Sequence, residues 1–309
     1  MKSFQGDEGL SEVIGFILLI GLLVVVLVLY QTYSVPVQGR DNEIDHMNDV
    51  KDTLVAYKIS LDSLWLNERE GTMLSTTLDL GTRGGYSRGG MGDIALLTPL
   101  SSGGSVGINQ RDETITVAGV RRSSGEPISY TTDSSPGALE YSSNNNYWID
   151  QNYYYQMGGI FLEQDSGSSV RVMPPLSITK YNETDPSKPE TARLDFTIIT
   201  LFNNELISGT GPVRIDTVLK TIVVPKKEEV FQNISVSVKS DDANTRQMWE
   251  KLFRDPLVQD KIDENWYTIT NTNGVVTLDV KGNPAYGVYA NIIRADYRVK
   301  FQTVATGIH

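Results

Sequence analysis

The sequence predicts an α+β protein in which a long, kinked N-terminal helix, first hydrophobic and then amphipathic, precedes a β-rich, sandwich-like head. Three observations carry this prediction: an apolar run at residues 13–30, a helix-period apolar seam at residues 47–64, and short β-type runs from residue 71 onward. The expected organisation is a leader-like segment at 1–9, a helix at 10–34 that either spans a membrane or forms the core of an assembly, its amphipathic continuation at 35–68, and an extracellular head at 69–309.

The apolar run at residues 13–30 contains 18 residues and no charge. As an α-helix it is roughly 27 Å long, close to the hydrocarbon thickness of a bilayer. Every face of such a helix is apolar, which distinguishes it from an amphipathic helix lying on a membrane surface. Tyr30 and Tyr33 lie where aromatic side chains meet the headgroups. We therefore expect a membrane partner.

Three explanations of this run compete. A cleaved secretory signal needs a shorter apolar core and a small-residue cleavage site, and the sequence QTYSVPVQGR after the run is a poor site. A single-pass anchor needs only the length. The third explanation is a helix that anchors the subunit first and later packs into a filament.

Residues 9–15, GLSEVIG, follow a short polar leader and open the apolar run. This stretch resembles the N-termini of archaeal type IV pilin-like surface proteins. The resemblance implies that a prepilin-type peptidase cuts after Gly9, leaving Leu10 as the new N-terminus. It also implies contributions of Glu12, Gly15 and Pro36 to assembly with homologous pilin-type subunits and their assembly machinery.

Glu12 is a carboxylate at the membrane edge, where a charge is costly unless it stays at the interface or finds a partner. The free amine of a neighbouring filament subunit is one such partner. The cytoplasmic headgroup region is the other explanation for its position.

A second helix is predicted from residue 41 to about residue 66. We expect Pro36 to kink or break the helix before it, because proline lacks an N–H and disfavours helix in the preceding residue. Beyond it, apolar residues recur at spacings of three and four. This seam either packs on the chain's own sheet or contacts helices of other subunits; its members are Met47, Val50, Leu54, Tyr57, Leu61 and Leu64.

The head is predicted as short strands separated by Gly, Ser, Asn, Asp and Pro clusters. One helix interrupts them at residues 244–253, and the Gly/Ser-rich segments 83–92 and 101–107 are expected to be loops. The predicted strands are 76–80, 93–97, 114–120, 168–173, 194–201, 215–223, 234–238, 275–280 and 292–303.

The densest aromatic segment is residues 139–164, which reads LEYSSNNNYWIDQNYYYQMGGIFLEQ. Aromatic rings among Asn and Gln can form a carbohydrate-stacking or adhesive surface, and they can equally fill the core of a hairpin. Under the first interpretation Tyr147, Trp148, Tyr153 and Tyr155 form a ligand surface for surface glycans.

Composition excludes several function classes. The chain has no cysteine, which excludes disulfides, thiolate metal sites and cysteine nucleophiles. Its net charge of −11 argues against nucleic acid as a partner. Asn182 and Asn233 begin glycosylation sequons, which suit an exterior domain.

The sequence gives little support for an enzyme. His46 and His309 are the only histidines, and no metal or catalytic residue is assigned, nor any cofactor. Carboxylates of a glycosidase leave no local motif, so an anchored glycan hydrolase stays open as a third hypothesis. The leading hypothesis is a pilin-like structural or adhesive subunit at the cell surface, in a minor or tip-like role. The second is an anchored binding module that never polymerises.

Overall fold

A computed structural model defines the backbone from residue 7 and side chains from residue 12. The residues it describes are 7–82, 97–109, 111, 113–132, 135–165, 167–182, 190–203, 205–225 and 229–303. Within them, one long N-terminal helix precedes a region rich in antiparallel sheet, which confirms the predicted α+β class.

The N-terminal helix consists of α1 (Asp7–Leu29), a π-helical turn (Tyr30–Ser34) and α2 (Val35–Leu66). Of the predicted kink or break at Pro36, the break is wrong, because the chain stays helical through the proline. Pro36 lies in the first turn of α2, and the Val35 N–H donates to the carbonyl of Tyr30, five residues back. This wider turn accommodates the ring, which in an α-helix clashes with the carbonyl four residues earlier.

The predicted seam of α2 is buried against the chain's own sheets, so the first of its two explanations is confirmed. Two tyrosine hydroxyls fix the helix at defined points. Tyr57 Oη lies 2.9 Å from Thr217 Oγ1, and Tyr297 Oη donates to the Leu61 carbonyl at 2.8 Å. The buried seam residues are Met47, Val50, Leu54, Tyr57, Leu61 and Leu64.

The described part of the head contains two sheets. The larger has ten strands: β1 (Met73–Asp79), β3 (Thr114–Arg121), β4 (Pro127–Thr131), β9 (Leu176–Tyr181), β10 (Thr191–Phe202), β12 (Pro212–Val223), β13 (Glu229–Lys239), β14 (Tyr267–Thr272), β15 (Val275–Val280) and β16 (Val288–Thr303). The smaller has six: β2 (Gly103–Asn109), β5 (Ala138–Asn144), β6 (Asn152–Gln156), β7 (Gly159–Gln164), β8 (Gly167–Val172) and β11 (Leu206–Gly209).

The larger sheet has two five-stranded sections, ordered β9-β10-β16-β12-β1 and β4-β3-β13-β15-β14. They join where the start of β13 pairs with the start of β16. The β10–β16 pair is parallel, and the other described pairs are antiparallel. The smaller sheet follows the order β11-β2-β5-β6-β7-β8.

Two hydrophobic cores lie on opposite sides of the β6–β7 hairpin. Tyr155 and Ile160 belong to the core beneath α2, together with residues of β12 and β16. Tyr154 and Phe161 face the other core, which is closed by helix α3 (Ala243–Gln259). Because side chains alternate across a strand, one hairpin supplies both cores.

Two predicted segments differ from the structure. Residues 101–107 were expected to be a loop, yet 103–107 belong to β2, because small residues let this strand pack closely between its neighbours. The predicted helix at 244–253 exists and runs on through Pro256 to Gln259. Segment 83–92 and most of the predicted strand 93–97 lie outside the described residues.

Candidate functional site: an exposed apolar helix and its junction with the head

The side chains of α1 from Val13 to Leu29 are almost all exposed, although they are almost all apolar. The helix is long and apolar enough to cross a membrane, and none of its most apolar 18-residue window is buried. Such a continuous exposed apolar surface marks an interaction site in a folded protein. The described part of the head provides no cover for it.

The residues of the resemblance lie at the start of α1. Gly9 and Leu10 are in its first turns, and Glu12 is the first residue whose side chain is described; it is exposed. A methyl group added at Gly15 would meet no described atom within 4 Å beyond the backbone of its own helical turns. The roles in processing and assembly assigned to these residues stay predictions.

The junction between helix and head is built around the carboxylate of Glu43, which is only 1 % exposed. It accepts three backbone hydrogen bonds: Oε1 from the Asn146 N–H at 2.7 Å, and Oε2 from the Tyr147 and Trp148 N–H groups at 2.9 and 2.7 Å. We name residues 145–150 the Trp148 loop. Its consecutive N–H groups form a small anion-binding nest, and Glu43 occupies it from within the chain.

Two ring contacts extend this junction toward α1. The Tyr147 ring lies against Gly39, where any added Cβ would overlap it. The Arg40 guanidinium carbon lies 4.5 Å from the centroid of the Trp148 ring, a cation–π contact. Glycine at position 39 therefore lets the loop approach the helix backbone.

His46 completes the buried side of the junction. Its Nε2 lies 3.1 Å from Tyr141 Oη, and that hydroxyl donates to the Leu80 carbonyl at 2.8 Å. The hydroxyl has one hydrogen, so the Nε2–H of His46 donates to Tyr141. Burial lowers the pKa of His46 below its ordinary value, against the opposing field of nearby carboxylates. The side chain is thus a structural link between helix and strand.

The structure corrects the proposed aromatic ligand surface. Tyr153 and Tyr155 are buried in the core beneath α2 and cannot meet a ligand from solution. Tyr147 and Trp148 are half-buried against α2. The four residues therefore do not form one surface, because the hairpin aromatics fill cores while the loop aromatics fasten the helix.

The two sequons lie in different settings. Asn182 is exposed just after β9, whereas Asn233 is half-buried within β13 at a register shift against β3. Ser235 of the second sequon donates its hydroxyl to the Ala118 carbonyl. Modification of either asparagine stays a prediction.

A second polar cluster surrounds Arg111, between the two sheets. Its guanidinium pairs with Glu140 at 3.1 Å and with Glu163, reaches Glu113 at 3.8 Å, and lies over the Tyr154 ring. Glu113 is 2 % exposed, so a sugar has no access to its carboxyl group. This cluster ties the strands together and gives no support to the hydrolase hypothesis. Among the described residues, no group of three or more His, Asp or Glu is placed to hold a metal ion.

Replacing Glu113 by glutamine should change the pH dependence of stability. Burial raises the pKa of Glu113 to about 7 in the folded protein, and Arg111 only partly opposes this. Because the folded state then holds a proton that the unfolded state loses near pH 4.5, stability falls as pH rises from about 4.5 to 7. The total loss is about 3 kcal/mol.

In Glu113→Gln this pH-dependent loss should vanish. The free energy of unfolding of the variant, taken relative to that of the wild type, should therefore rise by up to about 3 kcal/mol between pH 4 and pH 8. Urea unfolding at a series of pH values measures the difference. The surface variant Glu126→Gln is the matched control, since that side chain is largely exposed. Parallel pH profiles for Glu113→Gln and the wild type would contradict the expected protonation.

Sequence analysis missed Glu43 as a junction residue. Continuing the seam backwards from Met47 by four residues reaches Glu43, and by four more reaches Gly39, both of which are buried. A charge and a glycine in line with an apolar seam were therefore the available signal. Their partners in the Trp148 loop lie more than a hundred residues away and leave no local mark.

Comparisons with protein-family models, with curated proteins and with solved structures give no match to this chain.

Proposed function

We propose that this chain is a pilin-like, membrane-anchored surface subunit that assembles through its N-terminal helix. One observation carries the proposal: a single continuous helix is apolar and almost entirely exposed from Val13 to Leu29, then buried by the head along one side of α2. The anchoring half therefore needs an apolar environment from outside the chain. A lipid bilayer supplies it before assembly, and helices of neighbouring subunits supply it in a filament.

The fastening of α2 suits this role. Glu43, Tyr57 and Leu61 bind the helix to a loop and to two strands of the head at separate heights. Because the head holds the helix at several points, a position taken by α1 is transmitted to the head. This is the mechanical property that a structural subunit requires.

The N-terminus of the mature protein tests the proposal. We expect mass spectrometry of protein from membranes and from sheared surface filaments to show that residues 1–9 are removed and that Leu10 is the first residue. In Gly9→Leu the leader should stay attached and the protein should disappear from filaments, because the bulky side chain replaces the small residue before the cut. Gly6→Leu, with the same change three residues earlier, should be processed normally.

The outcomes separate the competing functions. An intact leader throughout membrane-derived wild-type protein would overturn the processed-pilin proposal. Complete retention in membranes after leader removal, with none in sheared filaments, would support an anchored binding module that does not polymerise.

A further inference from the structure

The head begins very close to the end of the apolar run. Val35 is only 8 % exposed, so other parts of the chain already cover the helix five residues after Tyr30. At about 1.5 Å per residue this is roughly 7.5 Å along the helix axis. The headgroup layer on each side of a bilayer is about 5–8 Å thick. If the hydrocarbon layer ends at Tyr30, the base of the head lies within the headgroup layer.

Charge allows the bilayer to extend farther along the helix than Tyr30. The residues 13–39 carry no charge, and Arg40 is the first charged residue after Glu12. This uncharged stretch extends roughly 40 Å as a helix, which matches a bilayer including its headgroups. Arg40 is therefore the farthest position for the outer limit of the headgroup layer, beside Trp148. With that limit at Arg40, the hydrocarbon layer ends about 5–8 Å earlier, near Val35.

The Trp148 loop points its large side chains toward α1. The backbone of Tyr147 and Trp148 is held at Glu43, whereas their rings contact Gly39 and Arg40, which lie nearer to α1. Both side chains thus extend from the loop in the direction of the membrane. The orientation is fixed by the Glu43 hydrogen bonds.

Two exposed apolar side chains belong to the same region. Ile149 is 52 % exposed in the same loop, and Leu100 is 69 % exposed. The Leu100 N–H donates to Tyr147 Oη at 3.1 Å, so Leu100 lies at the end of the Tyr147 ring. Aromatic rings beside aliphatic side chains are the composition that membrane interfaces favour.

We propose that the Trp148 loop and Leu100 seat the head in the headgroup layer of the membrane that α1 crosses. This inference rests on the proposed membrane anchorage and adds a second, interfacial contact made by the head. The lipid surface it fits is zwitterionic, because Asp41 follows Arg40 in the sequence and the Trp148 loop contains Asp150, so these segments carry no basic excess to attract anionic lipid. The head is then held upright on the membrane before any assembly.

Two exposed isoleucines provide a matched test. The chain has no cysteine, so Ile149→Cys and Ile59→Cys each give one labelling site. Ile59 is 63 % exposed on α2, roughly 28 Å beyond Arg40 along the helix. Each full-length variant carries an environment-sensitive fluorophore and is reconstituted into phosphatidylcholine vesicles, with part of the lipid brominated near the top of its acyl chains.

The label at Ile149→Cys should shift its emission to the blue and be quenched by the brominated lipid, while the label at Ile59→Cys stays unchanged. Equal behaviour of the two labels in protein that floats with the vesicles would overturn the interfacial contact and leave anchorage intact. Protein that does not float with the vesicles would overturn the anchorage itself. Thermal unfolding of both labelled variants confirms that the head is folded in each measurement.

Discussion

Glu43→Ala should destabilise the head by about 2–4 kcal/mol, because it leaves three part-buried backbone N–H groups without their acceptor. Each of these bonds goes to a carboxylate, and bonds to charged groups contribute more than neutral ones. The Trp148 loop should then separate from α2, and its rings should lose their contacts at Gly39 and Arg40. The measurement is thermal unfolding of the full chain in detergent, with limited proteolysis to detect opening of the loop.

Asp45→Ala is the matched control for this prediction. Asp45 lies two residues away on the same helix, and its side chain is exposed. Substitutions at such surface positions usually change stability by less than about 0.5 kcal/mol. A melting curve for Glu43→Ala that coincides with that of Asp45→Ala would show that the junction contributes nothing to stability. Glu43→Gln should fall between the two, since an amide keeps one oxygen acceptor and loses the charge.

A chain that begins at Ser34 should fold as stably as the full-length protein and lose most of its membrane affinity. The removed residues carry the exposed apolar surface of α1, and none of its most apolar window is buried by the head. The free energy of unfolding of the shortened chain should therefore lie within about 1 kcal/mol of that of the full chain. Removing an apolar span of this length should cost about 5 kcal/mol or more of membrane affinity.

Vesicle flotation measures the membrane affinity, and thermal unfolding measures the stability of the head. Leu22→Arg, in the middle of the exposed run, is a graded variant: a central arginine should weaken insertion by about 2.5–3.5 kcal/mol and leave the melting of the head unchanged. If the shortened chain aggregated or failed to fold, α1 would be part of the head's own stability. If it still floated with vesicles, the head would bind membranes by itself, through a surface such as the Trp148 loop.

The two predictions divide the long helix into parts with different physical roles. Over α1 the apolar side chains have no partner within the described chain, so their free energy is available for lipid or another subunit. Over α2 the apolar seam is already buried, so its free energy stabilises the fold. The π-helical turn at Tyr30–Ser34 lies between the two parts and keeps the helix continuous through the proline.

Several predictions about the strands followed from local pattern alone. The run at 275–280 coincides with β15, and the alternating residues 234–238 lie inside β13. Side chains of a strand point alternately to its two faces, so the pattern of neighbouring residues is enough to predict such strands. β2 could not be found in this way, since its Gly and Ser residues also suit a loop and its identity as a strand depends on pairing with β5 and β11. The same holds for the extension of α3 past Pro256, which puts Leu257 into the core.

By itself the sequence determined the α+β class, the membrane-length apolar helix and the seam that buries α2, because length, polarity and period are properties of neighbouring residues. Only the tertiary structure decided that Tyr153 and Tyr155 fill a core, and that Glu43 is a buried anchor for the Trp148 loop. These outcomes depend on contacts between segments about a hundred residues apart. A carboxylate on a helix is compatible with solvent or with a buried nest of N–H groups, and the folded chain alone supplies the nest.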